Sequence, residues 1–129
     1  MKSKLLILTL IVVALSVVSV PIFAHHGTAA FDVTKMVTVK GTVTDFQFVN
    51  PHVQIYWDVK NEKGETEKWQ GELTSPNHLA RAGWTKSTIK VGDQITLTGN
   101  PATSGAANLW LRKVLSPSGT EIKTGGGEN

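Results

Sequence analysis

The chain contains no cysteine among its 129 residues. Disulfides, thiolate metal sites and cysteine nucleophiles are excluded together, so a domain made from this sequence has only packing to hold it. A membrane-length apolar stretch is also missing. The longest run, Leu5 to Val20, counts 16 residues and includes Thr9, Ser16 and Ser19, against the roughly 20 needed for a spanning helix. There is no glycine-flanked serine of the nucleophile-elbow type, no Gly-rich phosphate loop after a strand and no zinc-protease helix motif. The usual sequence marks of hydrolase and nucleotide chemistry are therefore lacking. No substrate is indicated, and the chain is not expected to be an enzyme.

What is present begins with Lys2 and Lys4, followed by the apolar run and then Pro21-Ile22-Phe23-Ala24. This is the three-part order of a secretory signal peptide, with a small residue at the cleavage point. Residues 1–24 are expected to be removed as a leader. The alternative is an uncleaved anchor. A cleaved chain is expected to be periplasmic or secreted, with no stable membrane anchor. Cleavage takes two of the 13 basic residues and none of the acidic ones, which leaves 11 against 10. The whole-chain pI of about 9.3 therefore overstates the basicity of the processed protein. A near-neutral surface of mixed sign offers no electrostatic footprint for nucleic acid. The 105 residues left of 129 suffice for one small domain with one core.

From Met36 onward the sequence reads as short strands with period-two alternation and turn signals between them. Val37, Val39, Gly41 and Val43 take every second place, and after Asp45 the parity flips to Phe46 and Phe48, which suggests a bulge. Val53, Ile55, Trp57 and Val59 then share one face, so Trp57 is expected in the core. Asn61 to Gly64 is a polar turn, and Trp69, Gly71 and Leu73 return on the inner face. Ser75-Pro76 opens a short helix that Gly83 closes. Ile89 to Gly99 and Leu109 to Leu115 are the last two strands. The order β-β-β-α-β-β predicts an all-β fold, a small OB-fold-like barrel with one short helix. An N-terminal arm over 25–35, a barrel over 36–119 and a flexible tail over 120–129 complete the expected layout.

The expected chemistry rests on four histidines, His25, His26, His52 and His78. Cleavage after Ala24 makes His25 the first residue, so that it offers a free amine and an imidazole together. With a further imidazole this is a nitrogen-rich set suited to Cu(II), or less selectively to Ni(II) or Zn(II). His26 offers a competing mode through the amine, a deprotonated backbone amide and its own ring. If the strands on either side of the Asn61 to Gly64 turn pair with residue numbers summing to roughly 125, His52 lies beside Leu73. His78 follows five residues later, which predicts both imidazoles at one pole of the barrel. The 11-residue arm, at up to about 3.3 to 3.6 Å per residue, is long enough to cross to that pole, with Phe31 pinning it on the way. Asp32, Asp45, Asp58 and Glu72 are expected to be solvated surface.

The stretches His25-His26-Gly27, Val39-Lys40-Gly41-Thr42-Val43, Asn50-Pro51-His52, Ser75-Pro76-Asn77-His78, Gly83-Trp84 and Gly92-Asp93 resemble an uncharacterised family of small exported bacterial proteins, a domain of unknown function. Gly27 departs from the serine expected there. The resemblance implies export and a single small β domain, and it brings no activity or catalytic residues. Two functions from different classes fit the sequence. The first is a periplasmic metal-binding protein, with copper as the preferred ion. The second is a metal-free OB-fold interaction module for a peptide, glycan or partner protein, using Tyr56, Gln70, Trp84 and Trp110.

Overall fold

The computed structural model describes residues 28–125. The expected leader over 1–24, together with His25 and His26, lies outside the described residues. The strands are β1 (Val37–Gln47), β2 (Gln54–Lys60), β3 (Thr66–Glu72), β4 (Gln94–Pro101) and β5 (Asn108–Leu115), and helix α1 (Pro76–Arg81) stands between β3 and β4. The sheet closes into a barrel in the order β1-β2-β3-β5-β4. Every pairing is antiparallel except β3 with β5. β1 borders both β2 and β4, which gives the five-stranded barrel of the OB architecture.

Alternation builds the core. Val53, Ile55 and Trp57 are fully buried, while Gln54, Tyr56 and Asp58 between them are half-buried on the other face. Trp57 stacks on Trp69 with ring centroids 6.1 Å apart. The parity flip in β1 is a bulge, with the register shifting between Val43 and Asp45. Gly41 sits just before that bend, under the Trp57 indole and the Asp58 carbonyl. A Cβ there would meet both, closer than real Cβ atoms come. Because the Asp58 oxygen belongs to backbone and cannot turn aside, Gly41→Ala is expected to cost about 1–3 kcal/mol. The check is the shift in urea midpoint at unchanged m-value.

Two expectations need correction. The β2–β3 partners sum to 126, with Gln54 opposite Glu72 and Ile55 opposite Gly71. His52 is therefore not beside Leu73. The hairpin has a three-residue loop closed by Asn61 and Glu65, with Gly64 at positive φ, and that one-residue difference in register sets Ile55 against Gly71 and Trp57 against Trp69, so that the two inner faces meet. β4 starts at Gln94 rather than Ile89. The intervening chain is a turn in which Lys90 donates to the Asp93 carboxylate and Asp93 donates back to the Lys90 carbonyl. Ile89 still packs into the core, from the loop.

Helix α1 is capped by Ser75, whose hydroxyl accepts from the His78 amide, and Pro76 takes the first position. Gly83 leaves the helix at φ +93°, and the Trp84 amide donates back to Leu79. Trp84 is buried, so it is withdrawn from any binding surface. Its indole Nε1 donates to the Lys123 carbonyl at 2.7 Å, and the Ile122 amide donates to Val114. The chain from Thr120 to Gly125, which composition marks as tail, is thus laid along β5 and across α1. No helix of the described residues is long and apolar enough to cross a membrane.

Candidate functional site

One row of register partners crosses four strands: Gln54 on β2, Glu72 on β3, Trp110 on β5 and Asn100 on β4. His52 stands two residues before Gln54, which makes it the diagonal neighbour of Glu72 on the same face. Its Nδ1 lies 3.5 Å from Glu72 Oε2, and both side chains are about three-quarters buried. The imidazole meets the Trp110 indole edge to face, with centroids 5.4 Å apart and planes at 77°. His52 is therefore walled on one side by an aromatic ring and faced at Nδ1 by a carboxylate. Its Nε2 makes no hydrogen bond among the described residues.

The arm comes to this same place. Phe31 is buried and packs on Trp110 at 6.0 Å, so that Trp110 touches both the Phe31 ring and the His52 ring. Backbone bonds hold it there. The Asp32 amide donates to Pro101 at 2.8 Å, and Thr103 donates to the Ala30 carbonyl through both its amide and its hydroxyl. Asn100, buried at the end of the register row, donates to the Lys35 carbonyl at 2.7 Å and accepts from Arg112 Nε at 2.8 Å. Asp32 caps the turn that follows. The Thr34 hydroxyl and then the Lys35 ammonium hold its carboxyl below the usual carboxylate range.

His78 has different neighbours. It is exposed on α1, and its Nε2 lies 2.9 Å from the Gly125 carbonyl. A carbonyl oxygen only accepts, so Nε2 carries a hydrogen, and a metal ion could take this ring only at Nδ1 while the bond stands. His52 and His78 share no hydrogen-bond partner. Among the described residues no group of three or more His, Asp and Glu gathers closely enough to hold an ion. A complete donor set would need atoms from His25 and His26, which lie outside the described residues. Glu72, expected on the solvated surface, is instead about three-quarters buried beside His52. The signal that finds it is Gly64 as the third loop residue, which fixes the hairpin register and so the diagonal to His52.

A shallow cleft of about 300 Å³ lies elsewhere, beside the β1 bulge, with Asp45, Gln47, Tyr56 and Lys68 on its walls. The Tyr56 hydroxyl donates to Gln54 Oε1, which also accepts from Gln70 Nε2 at 3.1 Å. No histidine lines it.

The model of a Family of unknown function (DUF6152) matches residues 12–109. The chain belongs to that family. The match takes in all four histidines and Glu72 of this family member, and it ends one residue before Trp110. No curated protein matches the chain.

Proposed function

We propose that this DUF6152 member is an exported, periplasmic metal-binding protein that takes copper through histidine nitrogens. Export rests on the leader composition, and cleavage after Ala24 supplies the amine of His25. His25 and His26 are the chelating end of the site, His52 is the barrel's donor, and His78 joins only through Nδ1 or by giving up its bond to Gly125. The observation that carries this reading is the anchoring of the arm on the ring that His52 touches. Thr28–Ala30 forms a 3-10 turn closed by the Phe31 amide, so the tether to His25 is the three residues before it, about 10 Å at full extension. A tether this short would hold the amino-terminal donors of the proposed site near His52 rather than free in solution.

Calorimetric titration of protein beginning at His25 tests it. The expected result is one Cu(II) site at least about tenfold tighter than a short peptide of the same first residues, a difference of about 1.4 kcal/mol. Equal affinity for protein and peptide removes the proposal. A second reading, a metal-free interaction module, has its own support in the cleft beside Tyr56 and in the preset Gln54, Tyr56 and Gln70 network. Of the four side chains first assigned to it, Trp84 is buried and Trp110 is partly covered by Phe31 and His52.

A further inference from the structure

We infer that Glu72 is a positioning residue that makes His52 Nε2 the metal-binding nitrogen, and that Trp110 fixes the plane in which that nitrogen points. This rests on the metal-binding reading above and adds to it a residue, an atom and an orientation. An imidazole has two nitrogens that compete for an ion, and the one that binds is set by what the other one holds. Metal-bound histidines characteristically donate their second N–H to a carboxylate or a carbonyl, which fixes tautomer and ring angle and raises ligand basicity. In this barrel the carboxylate is already in place. Glu72 Oε2 is 3.5 Å from Nδ1, about 0.5 Å beyond a well-formed hydrogen bond, a gap that has to close when the ion binds.

The surroundings leave the ring little choice. Flipping it about its Cβ–Cγ bond would turn a carbon toward Glu72 and lose the only polar partner that His52 has among the described residues. The Trp110 edge contact, at 77° between planes, restricts tilting out of the present plane. Glu72 and Trp110 are themselves register partners on neighbouring strands, so sheet pairing fixes their spacing. Glu72 and Trp110 thus stand on strands, which keep their geometry better than loops, while His52 lies in the segment just before β2. The carboxylate also brings a negative charge close to a bound cation without occupying one of its coordination positions. His78 has no such support: its ring is exposed, and its near partner is the carbonyl of Gly125.

The test is a double-mutant cycle on the protein beginning at His25, with Cu(II) affinity read by competition and folding checked by urea midpoint. Glu72→Ala is expected to weaken binding by about 10 to 100-fold. Glu72→Gln, which keeps the shape and an acceptor oxygen but not the charge, is expected to fall between it and the unaltered protein. In a His52→Ala background, Glu72→Ala is expected to have no further effect, because Glu72 acts through that ring. Paramagnetic resonance of the Cu(II) complex should show one fewer nitrogen in His52→Ala and an unchanged nitrogen count in Glu72→Gln. Full additivity of the two substitutions, or an affinity that ignores Glu72→Gln and Glu72→Ala alike, overturns the inference while leaving copper binding intact. If His52→Ala binds Cu(II) as tightly as the unaltered protein, the reading beneath it has failed instead.

Discussion

Trp57→Ala should be the most damaging single substitution in the barrel, at about 3–5 kcal/mol. The side chain is completely buried, is stacked on Trp69, and roofs the glycine at the bend of β1. Total stabilities of small domains are about 5–15 kcal/mol, so this is a large share. A fall in melting temperature of at least about 12 °C follows for a domain of this length. Trp57→Phe should cost much less than the alanine variant, for a specific reason. The indole Nε1 is buried with no acceptor among the described residues, and phenylalanine removes that orphan donor along with part of the area. Thermal unfolding of the two variants side by side is the measurement, and similar losses for both would mean that the site relaxes around a cavity.

The second large effect concerns the amino terminus. A short Gly/Ser extension placed ahead of His25 is expected to reduce Cu(II) affinity by about a hundredfold, or about 2.7 kcal/mol. Both ways in which the first two histidines chelate use the terminal amine, and an extension without histidine moves that amine out of reach of either ring. The fold should be indifferent to the change, because the arm is held from Ala30 onward by Pro101, Thr103 and Asn100. Competition titration of extended and unextended protein, with equal melting temperatures as control, decides the matter. Unchanged affinity would show that the amine is not a ligand and would move the donors to the internal histidines.

The fold could be read from the sequence because its signals are local. Period-two alternation in β2 and β3, the parity flip in β1, the Ser75-Pro76 start and the Gly83 stop each depend on a few adjacent residues, and each stands in the structure where it was expected. The site was legible only in part, because its geometry depends on register. The step from a sum of 125 to 126 takes His52 from the company of Leu73 to that of Glu72. The Trp110 contact needs, besides, the parallel pairing of β3 with β5, which joins residues far apart in the chain. Likewise Phe31 could be foreseen as an anchor for the arm, but not that its seat would be the ring on which His52 leans. Composition also hides, for a similar reason, the packing of the first part of the expected tail, Thr120 to Gly125. Glycine-rich sequence says nothing of Ile122 reaching the core or of Trp84 needing an acceptor.

The wall of the barrel is unevenly stitched. β3 and β5 meet over only three residue pairs, Gln70 to Glu72 against Asn108 to Trp110, whereas the other seams run for five to seven. Spontaneous breathing will part the molecule first along that short parallel seam, whose last pair is Glu72 and Trp110. A ligand that drew the arm and His52 together over this pair would act as a rivet on the weakest join, and occupancy would be felt as stiffness around the whole circumference.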